Sequence, residues 1–157
     1  MNTSDHTPWR SYTAHAIFEA DAAFLWPHVA DFGGLAVKIP DQLTSCDLVG
    51  HGVGAVRTLT LKNGKTARET LISLHPELFR LAYAMQDPSP FPWTRYFCTQ
   101  QLQALGAGQT HFLIAGFYHP AGGDPAAVKT ILEGVYRGLF EGIARIMKVR
   151  IAIRPEE

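Results

Sequence analysis

The chain has 157 residues, 14 Lys plus Arg against 14 Asp plus Glu, and 46% hydrophobic residues. That length and apolar content describe one globular domain with a real core and exclude a disordered chain. Zero formal net charge supplies no overall field to draw in nucleic acid, so no nucleic-acid partner is expected.

Residues 1–8 are polar and end in proline, which reads as an N-terminal arm. Residues 9–20 alternate partially through Tyr12, Thr13, Ile17 and Phe18 and predict a first strand, with Asp21 placed to cap a helix over 22–30. Pro27 lacks the helical amide and predicts a split of that segment into two short pieces. From Gln42 the pattern changes to six strand-like runs, at 43–49, 54–61, 67–74, 79–85, 95–104 and 109–118, in the succession of an antiparallel sheet. Asn63-Gly64 marks the clearest hairpin, because a tight reversal needs the positive backbone angles that glycine and asparagine tolerate. Asp124-Pro125 then opens a long helix reaching toward Val149. Val128, Ile131, Val135, Leu139, Ile143 and Ile146 form its apolar stripe, and Gly134, Gly138 and Gly142, four residues apart, remove bulk along another line for close packing or ligand space.

Cys46 and Cys98 are too few for a disulfide framework. The seven histidines are dispersed, so reduced thiols, a cytoplasmic location and no metal are expected. No run approaches the roughly 18 apolar residues of a membrane span, which argues against transmembrane insertion. Phosphate-loop and dinucleotide fingerprints are absent, and no cofactor is expected.

The order of elements, together with Gly54-Ala55-Val56-Arg57, Arg68-Glu69, the stretch Pro92 to Tyr96 and the terminal helix, resembles the START-like helix-grip superfamily, nearest its polyketide cyclase/dehydratase and lipid-transport group. The resemblance implies an α+β fold: a bent seven-stranded antiparallel sheet gripping a long C-terminal helix, two short helices after the first strand, and an apolar cavity between them. It implies one ligand-binding domain over residues 9–151 with a tail at 152–157, and marks Glu69 and Tyr96 as matching pocket positions of relatives.

Arg57 and Glu69 flank the Asn63-Gly64 hairpin at nearly equal distance, so approximate cross-strand pairing is expected. Facing inward, Arg57 would anchor a ligand carboxylate or enolate while Glu69 transfers a proton; facing outward, the two would make a surface ion pair worth about 0–1 kcal/mol. Tyr83, Tyr96 and His111 offer polar groups for a carbonyl or a proton relay, against the alternative of core hydrogen bonding. Glu69, Arg57, His111 and Tyr96 are thus the catalytic candidates. Trp93, on a proline-bearing loop, and Phe117 offer aromatic surface, and Val135 and Leu139 apolar lining. Apolar residues on both faces of 109–118 also suit a covered outer face, for which a homodimer is the candidate. The leading reading is binding or transport of a hydrophobic small molecule with a polar or carbonyl end. Acid-base conversion of a reactive carbonyl compound is the alternative, and a protein-interaction module the third.

Overall fold

The computed structural model describes residues 8–122 and 124–154. The predicted N-terminal arm, apart from Pro8, lies outside these residues, as do residues 155–157 of the predicted tail. The elements follow the order β1 (Arg10–Phe18), α1 (Ala22–Ala30), a short 3-10 turn (Phe32–Gly34), α2 (Leu35–Lys38), β2 (Leu43–Val49), β3 (Val56–Leu61), β4 (Thr66–His75), β5 (Arg80–Met85), β6 (Trp93–Gly106), β7 (Gln109–Pro120), α3 (Pro125–Met147) and β8 (Ile151–Arg154).

One antiparallel sheet contains all eight strands in the order β2-β3-β4-β5-β6-β7-β1-β8. The fold is the expected α+β helix grip, with one strand more than the seven anticipated. Residues 151–154, read partly as tail, pair with His15–Phe18 of β1. The reversal that makes this possible is local. Lys148 adopts the left-handed conformation at φ 58°, and Val149 donates its amide to the Ala144 carbonyl 3.1 Å away, so the helix stops and the chain turns back onto the sheet.

Alternation assigns one face of the sheet to the core. Tyr12, Ala14, Ala16 and Phe18 of β1, and Phe112, Ile114 and Tyr118 of β7, are buried under α3. Register shifts at Leu71/Ser73 in β4, at Leu43/Ser45 in β2 and near both ends of β6 interrupt the ladder, and such bulges let long strands curl round a helix.

On α3, Asp124 caps as expected: its carboxylate accepts from the Ala126 amide at 2.9 Å, with Pro125 in the first turn. The deeply buried row is Val128, Leu132, Tyr136, Phe140 and Ile143, one position round from the predicted stripe. Ile131 and Val135 are only partly covered, and Ile146 is exposed. The shift arises because the sheet wraps the helix and buries the 128/132/136/140 row, leaving the flanking row to border open space.

α1 runs unbroken through Pro27, contrary to the predicted split. The second short helix comes later, at α2, after the 3-10 turn. Two of the α3 glycines admit α2: a Cβ on Gly142 would lie 1.9 Å from the Lys38 carbonyl oxygen, and one on Gly138 would lie 2.9 Å from Gln42 Nε2. Gly134 meets nothing in this way, although its carbonyl accepts from Gln42 Nε2 at 3.1 Å. Among the described residues, no helix is long and apolar enough to cross a membrane.

Candidate active site

Between the concave sheet face, α3 and the α1–α2 corner lies a cavity of about 350 Å3, within the usual range for small-molecule sites. Its wall is mostly apolar and aromatic: Phe32, Leu59, Tyr83, Trp93, Leu132 and Leu139 supply much of it.

Arg57 and Glu69 stand directly opposite each other on β3 and β4, and both line this cavity. The hairpin sets that register. Gly64 takes φ 84°, Leu61 donates its amide to Lys65 at 2.8 Å, and the Asn63 side chain accepts from the Lys65 amide, so the strands close with Arg57, Leu59 and Leu61 all inward. The inward alternative therefore holds: Arg57 is 5% and Glu69 4% exposed.

Arg57 Nε and Nη2 both lie 2.8 Å from Glu69 Oε1, and Nη1 donates to the Phe32 carbonyl at 3.1 Å. The guanidinium also sits 4.0 Å from the Phe32 ring centroid and 4.6 Å from that of Tyr83. Burial, the largest single influence, pulls the guanidinium toward neutrality, and the charge and hydrogen bond of Glu69 together with Tyr83 and Cys46 outweigh it, holding Arg57 above its ordinary value. Arg57 is accordingly engaged at all three nitrogens by Glu69 and the Phe32 carbonyl, with two aromatic rings beside it, before any ligand arrives. Glu69 keeps one oxygen, Oε2, outside this network. Among the described residues it has no hydrogen-bond partner, and it is not among the fully buried unpartnered atoms.

A second polar group is a tyrosine pair. Tyr96 Oη and Tyr136 Oη are 2.6 Å apart, and both residues line the cavity. One hydroxyl donates to the other, leaving one proton for the neighbouring Cys98 sulfur or for a ligand. Burial pushes both phenols well above their ordinary value, with the neighbouring Cys98 group next in effect, so both are neutral donors at neutral pH. Tyr136 was not among the residues singled out from sequence. Its signal was the strict four-residue row Val128, Leu132, Tyr136, Phe140. Gly116 makes room for it: a Cβ there would lie 2.0 Å from Tyr136 Oη and 3.2 Å from Tyr96 Cε2. Gly116→Ala is expected to cost about 1–3 kcal/mol by overpacking, measured by denaturant unfolding, and to break the Tyr96–Tyr136 contact.

The remaining lining residues complete the picture. Trp93 is buried rather than at the rim, in a parallel stack with Phe91 (4.7 Å) and Tyr96 (5.1 Å) between ring centroids. Tyr83, Val135 and Leu139 line the cavity as expected. Lys38, also unforeseen, is buried at the wall, where Nζ donates to the His28 carbonyl at 2.6 Å and the Asp31 carbonyl at 3.1 Å, with the Asp31 carboxylate 3.8 Å away. Burial lowers this ammonium, partly countered by Asp31. It ties the C-terminal end of α1 to α2. Cys98 is a buried thiol pushed up to about 11 by burial, against the lowering effect of the Tyr83 and Tyr96 hydroxyls, so it remains protonated and unreactive.

Two predicted site residues lie elsewhere. His111 and Phe117 occupy the outer face of β7, because the alternation that buries Phe112, Ile114 and Tyr118 turns them away. His111 Nε2 is 2.9 Å from His15 Nδ1 on β1, and Phe117 stacks on Phe97 at 4.7 Å, beside Trp9. Neither lines the cavity. Among the described residues, no cluster of three or more His, Cys, Asp or Glu is assembled for a metal.

Comparison with known proteins places this geometry. No curated protein matches the chain. The solved structure of XoxI from Bacillus cereus is similar at 20% identity, covering 87% of this chain and 94% of that one with a TM-score of 0.76. Norcoclaurine synthase from Thalictrum flavum, solved in complex with dopamine and hydroxybenzaldehyde, is similar at 18% identity, covering 90% and 87% with a TM-score of 0.73. At these identities the likeness is one of fold. Residues 10–148 match the family described as polyketide cyclase / dehydrase and lipid transport, and the chain belongs to that family.

Proposed function

We propose that the cavity binds a hydrophobic small molecule carrying a carbonyl group and converts it by proton transfer. The observation that supports this reading is the buried Arg57–Glu69 pair, whose second carboxylate oxygen is left outside the pair in the wall of a mostly apolar cavity. A carboxylate paired with Arg57 and lined by the aromatic wall is a base positioned against a bound ligand.

In the proposed step Glu69 Oε2 takes a proton from the carbon adjacent to the ligand carbonyl. The C–H electron pair moves into the new carbon-carbon double bond, and the carbonyl electrons move onto oxygen to form an enolate. The Tyr96–Tyr136 pair supplies the hydroxyl that stabilises this oxyanion, since a preoriented donor in a dry site costs no reorganisation as charge develops. The enolate then takes the proton back at the same carbon, or at the γ-carbon where the carbonyl is conjugated; alternatively it attacks a second carbonyl within the ligand to close a ring, and the alkoxide so formed takes the proton from Glu69. Arg57 is a positioning residue here: it holds Oε1 so that Oε2 faces the ligand. Tyr83, Trp93, Val135 and Leu139 shape the binding surface.

Deuterium incorporation next to the carbonyl of a naphthyl methyl ketone in heavy water, followed by proton NMR, tests the step. Wild-type protein should exchange the position above the buffer rate, and Glu69→Gln should lower the protein-dependent rate by about a hundredfold or more. Equal exchange by the two proteins would remove Glu69 as the base. Binding of the ketone without any exchange would leave a carrier in place of an enzyme.

A further inference from the structure

We infer that the cavity selects uncharged ligands and rejects a carboxylate at the Arg57–Glu69 end. This rests on the reading above that the cavity takes a small molecule, and it names the charge class of that molecule.

Each buried cation in the wall already has a partner. Arg57 spends Nε and Nη2 on Glu69 and Nη1 on the Phe32 carbonyl, with aromatic rings close by. Lys38 spends its ammonium on two carbonyls and Asp31. The interior charges are therefore balanced before a ligand arrives. Among the buried charged groups of the wall, the atom left without a partner is Glu69 Oε2, an acceptor, while the neutral Gln100 side chain also lines the cavity. A ligand carboxylate placed there meets a like charge and gives up its water without gaining a cation. A ligand ammonium can reach Oε2, but it loses its water beside the Arg57 guanidinium and near the buried Lys38. Lys62 also lines the cavity, on the Asn63-Gly64 hairpin, and is exposed, so its charge belongs to the mouth and leaves the interior rule unchanged. A neutral carbonyl compound meets neither penalty, and its flat framework suits the parallel rings of Phe91, Trp93 and Tyr96.

The pair also makes a reversal testable. In Glu69→Gln the Arg57 guanidinium loses its counter-charge and becomes a receptor for the carboxylate that the native site refuses.

The test is calorimetric titration of wild-type protein and Glu69→Gln with a naphthyl methyl ketone and with the naphthoate of the same ring position. Wild-type protein should bind the ketone at least about tenfold tighter than the naphthoate. Glu69→Gln should bind the naphthoate at least about tenfold tighter than wild type does. Equal wild-type affinities for the two compounds would overturn the charge rule while leaving the cavity as a ligand site. Binding of neither compound would overturn the underlying ligand reading. If Glu69→Gln does not fold, the wild-type ratio decides the matter alone. Proton exchange is not part of this readout, so loss of catalysis and loss of charge selection are separately visible.

Discussion

Arg57→Ala is expected to destabilise the protein by about 3–5 kcal/mol, measured as a shift in the denaturant midpoint at unchanged slope. Glu69 is 4% exposed, and Arg57 supplies a hydrogen bond from Nε and an ion-pair contact from Nη2 to its Oε1. Removing the guanidinium leaves a carboxylate in an apolar wall without a partner, the costly half of breaking a buried pair. The Phe32 carbonyl also loses its donor, and the rings of Phe32 and Tyr83 lose a cation held within 4.6 Å. The mechanism predicts a partial cure. Arg57→Met combined with Glu69→Leu removes both charges and refills the volume, so the double variant should be more stable than Arg57→Ala by about 2 kcal/mol or more. A loss below about 1 kcal/mol for Arg57→Ala would mean that the pair behaves as an exposed one, contradicting its described burial.

Gly142→Ala separates local preference from tertiary packing. In a solvated helix the change favours folding by about 1 kcal/mol, since alanine is the better helix former. Here the added Cβ would lie 1.9 Å from the Lys38 carbonyl oxygen and 2.7 Å from its carbon, and both are backbone atoms that no rotamer change can move aside. The α2–α3 contact must open. The expected net result is a loss of about 2–3 kcal/mol, at the upper end of ordinary overpacking, read from denaturant unfolding. The same change at Gly134, where a Cβ meets nothing within 4 Å, is the control and should follow helix propensity instead. A stabilised Gly142→Ala would mean that α2 is not seated on the helix as described.

Legibility in the sequence followed the range of the interactions. Strand β2 and the start of α3 were readable at their observed limits, and the Asn63-Gly64 turn held its place, because alternation, caps and turn residues act within a few positions. The Arg57–Glu69 pairing was nearly readable from its distance to that turn, while its direction was not. Period-two alternation says that Arg57, Leu59 and Leu61 share a face, but not which face meets the helix. The same ambiguity carried His111 and Phe117 into the candidate site, although Phe112 and Ile114 on the opposite face are the fully buried residues. Both faces of β7 are rich in apolar side chains, so hydrophobicity could not choose between them. Pro27 misled for another reason. Pro27, sixth of the nine residues of α1, removes one internal hydrogen bond, and the burial of Leu25, Trp26 and Val29 carries the helix through it.

By itself, then, the sequence determined the kinds of elements, their order and the presence of one helix with room along a glycine line, all properties of neighbouring residues. Tertiary structure decided what those neighbours could not. It rotated the buried row of α3 to include Tyr136, brought that hydroxyl to Tyr96 from 40 positions away, and laid residues 151–154 on β1. It also set Arg57 against Glu69 and the Phe32 carbonyl, which places a buried ion pair in the wall of a mostly apolar cavity. The physical reason is that burial and hydrogen-bond saturation depend on which distant groups arrive first at a donor or a face, and the curvature of the sheet sets that.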